Sequence, residues 1–476
     1  MREQPQWVTM NDGVALDVSV HHPEGPPPEG GFPAVLLVHG HGENGSKAMT
    51  AERAQRLAGQ GYLAVCYSVR GQGGSEGLSF HLGAREIYDL QDMIDWSLAL
   101  PGVGKLAVCG SSQGGWHAWM AAIHHPGVAC VVPENIFVDY ADFAVPAGAL
   151  STWFFTRTMR RRVMSAGLQD MARQWAITGN WDRIRTWASP SSPRHFVGRI
   201  RCPVLVIHGW HDVGMPANHL LSMMGSLAAP WMLYLGGGGH DGQDAEHAAT
   251  VRQGLVDRWL AHWLKGEHTG LLDQPPIHYA RRPAWDHLAC DRLVGERDET
   301  LYLCVDGTLT DTAPATATAN TNLNSLTRDP TYDLSRAIHT DMAEVLEAWP
   351  REEQHFTGSP VPEALDVLGI PRLILHTLPA TADYQIHVEL FDVSPEGTAS
   401  LISRGHAASQ TAAAGQHLQL DIALRAIAYR LPAGHRLRVV LANTNPAYVV
   451  PPCVPWRARI YHEVGRASRL VVPVNS

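Results

Sequence analysis

Five short apolar runs, separated by segments of helical period, constrain the fold of this chain more than any other feature. They are "AVLLVHG" (34–40), "YLAVCYSV" (62–69), "KLAVCG" (105–110), "ACVVPEN" (129–135) and "CPVLVIHG" (202–209). Between them lie stretches such as "AMTAERAQRLAGQG" and "GAREIYDLQDMIDWSLAL", whose apolar residues recur every three or four positions. A strand that is apolar on both sides must be covered on both faces. Such runs alternating with helices therefore predict an α/β domain built on a parallel sheet wrapped in helices. Ahead of the first run, "WVTMNDGVALDVSVHHP" alternates apolar and polar residues around the turn-forming trio Asn11-Asp12-Gly13, which predicts an opening antiparallel hairpin.

The rhythm changes twice. From about 140 to 200 a Trp- and Arg-rich stretch, "STWFFTRTMRRRVMSAGLQDMARQW", interrupts it and predicts an inserted helical cap. From about Arg297 the chain turns to "ETLYLCVDGTLT", "PRLILHTLPA", "DYQIHVELFDVSPEG" and "HRLRVVLANTNP", strands joined by turn residues. That pattern predicts an all-β, jelly-roll-like domain. The small polar stretch "TDTAPATATANTNLN" (310–324) reads as a surface loop. At 476 residues the chain is too long for one compact core. The expected division is an α/β domain over 1–295, with the cap at about 140–200, and a β-sandwich over 296–476.

Composition excludes several function classes. With a net charge of -9 and only 17% charged residues, the chain has no global basic field to draw in nucleic acid or an anionic membrane surface. Its start lacks a basic segment followed by an apolar one, and no run of about 18 apolar residues occurs, so a soluble, cytoplasmic protein is expected. The seven cysteines are scattered, mostly inside strand-like runs and never as CxxC, which suits small buried hydrophobes better than a disulfide framework.

Chemistry concentrates at "LAVCGSSQGGWHAW" (106–119). Gly110-Ser111-Ser112-Gln113-Gly114 matches G-x-S-x-G directly after a strand and before the helical "GGWHAWMAAIHH", the context of a nucleophile elbow. Only the frame centred on Ser112 puts glycine two residues before and two residues after the serine. A serine hydroxyl needs a base to take its proton and an acid to orient that base. "VLVIHGWHDVGMP" supplies Asp212 after one strand, and "WMLYLGGGGHDGQ" supplies His240 after the next. The chain order Ser, Asp, His fits. With 26 histidines in the chain, His240 stands out by position alone. Its neighbours in sequence, Asp241 and His211, are the competitors. The oxyanion donors expected are the backbone N–H of Gln113 and that of His41, in "LLVHGHGENGSK" after the first run. No HExxH or CxxC spacing marks a metal site, and no cofactor is expected.

A family resemblance follows from "SVRGQGGSEG" (68–77), "GSSQGGW", "HGWHD", "GGGGH", "RWLAHWLKGE" and the tail motifs "DGTL", "FDVSPEG" and "PAGHRLRV". Together these resemble the X-Pro dipeptidyl-peptidase-like serine hydrolases, which include cocaine esterase and the α-amino acid ester hydrolases. The resemblance implies an α/β-hydrolase domain with a helical cap followed by a jelly-roll domain. It also implies nucleophile, acid and base roles for Ser112, Asp212 and His240. Cocaine esterase-like members carry a tyrosine hydroxyl in the oxyanion hole. Here that place holds His41, so a hole made of two backbone amides is expected.

The leading expectation is a serine hydrolase that cleaves a small ester or amide, or a short peptide, through an acyl-enzyme. An X-Pro dipeptidyl-peptidase is the alternative, and a non-catalytic carbohydrate-binding protein is the alternative from another class. Peptidase action needs an acid for the substrate's free amine, for which Glu134 and Asp139 are the candidates. Tyr140 and Trp153 join them as candidate substrate-binding residues. Asp142 is a third acid of that stretch. Trp153, Phe154, Phe155, Trp175, Trp181 and Trp187 make the cap aromatic-rich, for an acyl pocket or for its own core. Arg70 reads as a structural anchor, and Arg157, Arg160, Arg161 and Arg162 as a solvated helix face. A homo-oligomer is left open.

Overall fold

The computed structural model describes residues 2–41, 45–155, 166–212, 214–240, 246–325, 351–452 and 455–475. The apolar runs become strands of one ten-stranded sheet. Its members are β1 (Arg2–Thr9), β2 (Ala15–His22), β3 (Phe32–Val38), β4 (Leu63–Tyr67), β5 (Val103–Ser111), β6 (Val128–Glu134), β7 (Val204–Gly209), β8 (Trp231–Gly236), β9 (Ile277–Arg281) and β10 (Asp286–Cys290). They lie in the order β1-β2-β4-β3-β5-β6-β7-β8-β9-β10, parallel from β4 to β9. The β1–β2 hairpin turns at Gly13, whose φ of 88° a side chain would resist, and its register pairs Thr9 with Ala15.

The described helices are α1 (Ala51–Gly59), α2 (Ala84–Leu98), α3 (Gln113–His124), α4 (Tyr140–Ala144), α5 (Ala166–Ile177), α6 (Trp181–Ala188), α7 (Asn218–Met224) and α8 (Glu246–Leu260). Strand side chains alternate faces, and each face of this sheet has its own helices. Leu36 and Val38 of β3 join α2 and α3 in one core, through Leu90, Met93, Trp116 and Trp119. Val35 and Leu37 join α1 and α8 in the other, through Leu57, Leu255 and Trp259. Each such Val or Leu contributes about 1.5–3 kcal/mol on burial. That gain is why the runs are apolar without interruption. Cys66, Cys109 and Cys130 pack in the second core as buried thiols.

A second sheet, of fourteen strands, begins at Arg297, seven residues past the end of β10. Its core is formed by Leu303, Phe356, Leu373, Val388, Val439 and Ile460. Part of the stretch read as a loop is a strand, Asn320–Asn324, antiparallel to Arg457–Glu463. Leu323 is its one apolar side chain and is fully buried, so its alternation is too sparse to show in sequence. The β-rich region docks on the first through Asn218, which donates to Leu424 O at 2.7 Å and accepts from Ala426 N–H at 2.9 Å. Ser151 and Val449 form a bridge beside it. Among the described residues no helix is long and apolar enough to cross a membrane.

Candidate active site

The turn between β5 and α3 is built by close approach. Ser112 sits at φ 56°, ψ -121°, a region that residues with a side chain rarely occupy. Its N–H donates to Glu134 O at 2.9 Å and its carbonyl accepts from Trp116 N–H at 3.1 Å, which holds the strained residue from both sides. A Cβ at Gly114 would lie 1.9 Å from Val38 O, and one at Gly110 would lie 2.6 Å from the same oxygen. The glycine fence is therefore a packing requirement between α3 and the end of β3.

Ser112, His240 and Asp212 come together. His240 Nε2 lies 2.9 Å from Ser112 Oγ, and His240 Nδ1 lies 2.7 Å from Asp212 Oδ2. Asp212 follows β7 and His240 follows β8, two adjacent parallel strands that deliver both loops to the edge where β5 ends. The other carboxylate oxygen, Oδ1, accepts the N–H groups of Gly214 and Met215 at 3.1 Å each. An ionised carboxylate only accepts, so the proton sits on Nδ1 and the Nε2 lone pair faces the serine hydroxyl. His211 turns toward Trp285, with ring centroids 5.6 Å apart, instead of toward Ser112. Asp241 lies outside the described residues.

Gln113 occupies the first position of α3, where helix geometry leaves its N–H without an intrahelical acceptor. His41 lies in the loop after β3, and its Nδ1 donates to Gln113 Oε1 at 2.8 Å. Gln72 Nε2 donates to the same oxygen at 2.9 Å. The two residues expected to supply oxyanion donors are thus tied to each other. His39 anchors that loop: its Nδ1–H donates to Gly40 O at 2.8 Å and its Nε2 accepts from Val69 N–H at 2.9 Å. Both nitrogens are used by the neutral ring.

Burial accordingly pushes His39 down to about 4, and His117 on α3 likewise. Both folded-state values lie below the ordinary 6.5, so the unfolded chain binds these protons first. Stability is then expected to be flat above about pH 6.5 and to fall between pH 6.5 and 4, on the order of 3 kcal/mol for each histidine. His219, raised by its bond to Asp142, opposes this as a single group. Denaturant midpoints at pH 7.5, 6.5, 5.5 and 4.5 check the trend, and a midpoint that holds constant down to pH 4.5 contradicts it.

Beside Ser112 opens a cavity of about 580 Å³. Met49, Leu82, Phe137, Phe143, Trp153 and Met215 form an apolar part of its wall, and His41, Gln113 and His240 belong to a polar part of comparable extent. Trp153 meets the His240 ring edge-on at 4.9 Å. Glu134 also lines the cavity, but Arg53 holds its Oε1 at 2.5 Å. The structure does not bring Asp139 or Tyr140 to the cavity. Asp139 caps α4 through Asp142 N–H and pairs with Arg194 at 2.7 Å. Tyr140 is buried behind the wall, stacked on Phe137 at 4.7 Å and bonded to His81 Nδ1. Asp142 is paired with His219 at 2.9 Å.

Of the other cap aromatics, Phe154, Phe155 and Trp181 are buried in the core, with Trp175 and Trp187 packed against it. Arg70 is the structural anchor expected, pairing with Asp89 at 2.6 Å and Asp12 at 3.0 Å. Arg157, Arg160, Arg161 and Arg162 lie outside the described residues. Sequence reading missed His81 and Leu82, which reach the cavity from a loop where both carry a positive φ, 51° and 64°. It also missed Arg252, carried to the rim by α8. No local signal distinguishes these three from other loop or helix residues.

Known proteins match this architecture along its length. A profile described as X-Pro dipeptidyl-peptidase (S15 family) matches residues 12–242, and one described as the X-Pro dipeptidyl-peptidase C-terminal non-catalytic domain matches 292–457. A Mycobacterium bovis protein provisionally named a serine esterase is 23% identical over a 605-residue alignment, covering 100% of this chain and 95% of that protein. An aminopeptidase structure from a marine sediment Thaumarchaeota archaeon superposes with a TM-score of 0.79 at 18% identity, over 100% of this chain and 96% of the other. An α-amino acid ester hydrolase structure gives 0.76 at 18% identity, over 99% and 96%. The reading as a non-catalytic carbohydrate binder gives way to an enzymatic one. With an α/β-hydrolase domain ahead of a β-rich domain, and both profiles in order, the chain belongs to the X-Pro dipeptidyl-peptidase-like family of serine hydrolases.

Proposed function

We propose that this hydrolase acts as an esterase on small carboxylic esters with an apolar acyl group, using Ser112 as nucleophile, His240 as base and Asp212 as orienting acid. His240 Nε2 takes the hydroxyl proton as Ser112 Oγ bonds the ester carbonyl carbon. The oxyanion so formed accepts from the backbone N–H groups of Gln113 and His41, each donor of this kind being worth about 2.7–4 kcal/mol. Collapse breaks the bond to the leaving alkoxide, which receives the proton from His240. Water, deprotonated by the same nitrogen, then releases the acid and restores Ser112. The cytoplasmic placement read from sequence stays part of this proposal, supported by Cys66, Cys109 and Cys130 packing as thiols in the sheet core.

One observation favours an esterase over the dipeptidyl-peptidase. The only carboxylate among the described residues of the cavity wall, Glu134, is already neutralised by Arg53. A free amine entering there would meet no unpaired acid among the described residues of the wall, and a buried ammonium without one is costly. An aryl ester without an amine is therefore expected to exceed a glycyl-prolyl anilide in kcat/KM by at least tenfold, measured on one preparation. A tenfold preference for the dipeptidyl substrate, lost on acetylating its amine and in Glu134→Gln or Asp139→Asn, reverses the assignment.

A further inference from the structure

The loop that carries Asp212 leaves the end of β7 and reaches α7 at Asn218, on the seam where the hydrolase domain meets the β-rich region. Inside the hydrolase domain, Asp212 N–H donates to Gly209 O at 3.2 Å, and the carboxylate serves His240 and the N–H groups of Gly214 and Met215. The backbone oxygen of Asp212 faces the other way. It accepts from Arg425 Nη1, a side chain of the β-rich region, at 2.9 Å. Both residues are buried, Asp212 at 1% exposure and Arg425 at 9%. A guanidinium donating to a buried carbonyl makes a charge-assisted bond, roughly twice as strong as a neutral one.

Arg425 is itself held in place. Its Nε donates to Tyr448 Oη at 2.9 Å, and its Cζ lies 4.5 Å from the centroid of the same ring. Its backbone N–H donates to Arg404 O at 2.9 Å, and its backbone oxygen accepts from Ser403 Oγ at 2.7 Å. On either side of it, Leu424 O and Ala426 N–H bond the side chain of Asn218 at 2.7 and 2.9 Å. The β-rich region therefore grips the acid loop twice, at Asp212 and at its far end. Tyr448 also accepts Thr152 N–H on its backbone oxygen at 3.2 Å, next to Trp153, whose ring meets His240 edge-on.

We propose that Arg425 is a positioning residue of the hydrolytic reaction: held by Tyr448, it fixes the backbone oxygen of Asp212 and through it the direction of the carboxylate that orients His240. Turning the Asp212 carbonyl about its Cα swings the side chain on that same Cα, so a backbone pinned at its N–H by Gly209 O and at its oxygen by Arg425 leaves the carboxylate one aim. A misplacement of about 1 Å at a reacting group can cost on the order of 10²-fold in rate. The region matched by a profile described as non-catalytic thus contributes to turnover through geometry. Lysine cannot take over the role, because one ammonium on a flexible stem does not reproduce two N–H groups set in a rigid plane, one for Tyr448 Oη and one for Asp212 O. The inference rests on the reading of Asp212 as the orienting acid.

A double-mutant cycle on the full chain, read as kcat and KM for an aryl ester, tests it. Arg425→Gln and Arg425→Lys are each expected to lower kcat at least tenfold with KM within twofold of wild type and circular dichroism unchanged. In an Asp212→Asn background the same Arg425→Gln should cost less than a further twofold, since the carboxylate it aims is already gone. Arg404→Gln serves as the control, because its guanidinium lies over the same Tyr448 ring, at 4.7 Å, and a loss caused only by weakened packing at the seam would appear there too. Its kcat should stay within twofold. If Arg425→Gln does not fold, Tyr448→Phe decides: it keeps the ring, removes the acceptor of Arg425 Nε, and is expected to lower kcat at least threefold. Wild-type kcat in folded Arg425→Gln or in Tyr448→Phe, an undiminished loss in the Asp212→Asn background, or an equal loss in Arg404→Gln each overturns the proposal. Wild-type turnover in Asp212→Asn alone would overturn the acid assignment and this role with it, whereas a crippled Asp212→Asn beside an active Arg425→Gln removes only the role of Arg425.

Discussion

Replacing Ser112 by alanine is expected to lower kcat by roughly 10⁶-fold, the scale found when a serine protease loses its nucleophile. Stability should stay within about 1 kcal/mol, because the turn is held by backbone bonds and by glycine contacts that alanine leaves in place. Alanine inherits the same positive φ of 56°, so the backbone strain is common to both proteins. The lost hydroxyl removes one hydrogen bond, to His240 Nε2. Rates on an aryl ester, paired with thermal melts of Ser112→Ala and Ser111→Ala, check the assignment. Full activity in the first with a dead second would move the nucleophile to Ser111.

For Asp212→Asn we expect a loss on the order of 10⁴-fold in kcat, by the tautomer argument established for serine proteases. Both orientations of the amide fail here. If the NH₂ takes the place of Oδ2, it donates to His240 Nδ1, which moves the ring proton to Nε2 and turns it against the serine hydroxyl. If the NH₂ takes the place of Oδ1 instead, it confronts the N–H groups of Gly214 and Met215, two donors with no acceptor between them. Asp241→Asn, the adjacent acid, is expected to stay within a few-fold of wild type. A near-neutral Asp212→Asn beside a crippled Asp241→Asn would transfer the acid role.

The parallel sheet was legible because its cause is local: a strand covered on both faces must be apolar on both, and β3, β4 and β5 carry that requirement in consecutive residues. The turn at Ser112 was legible for a similar reason, since Gly110 and Gly114 are dictated by one backbone oxygen, Val38 O, at the end of the adjacent strand. The order of Ser112, Asp212 and His240 follows from the strands that deliver them. What only the tertiary structure decided is which charges remain available. Glu134 looked like a free acid until Arg53, 81 residues away, was found against it, and Asp139 until Arg194 was. The same folding gathered Arg282, Arg404 and Arg425 at one seam from three separate strands and loops. Apolar periodicity and glycine sterics act between near neighbours along the chain, so they are written in it directly. Ion pairing depends on distance in space, and chain separation carries no information about that.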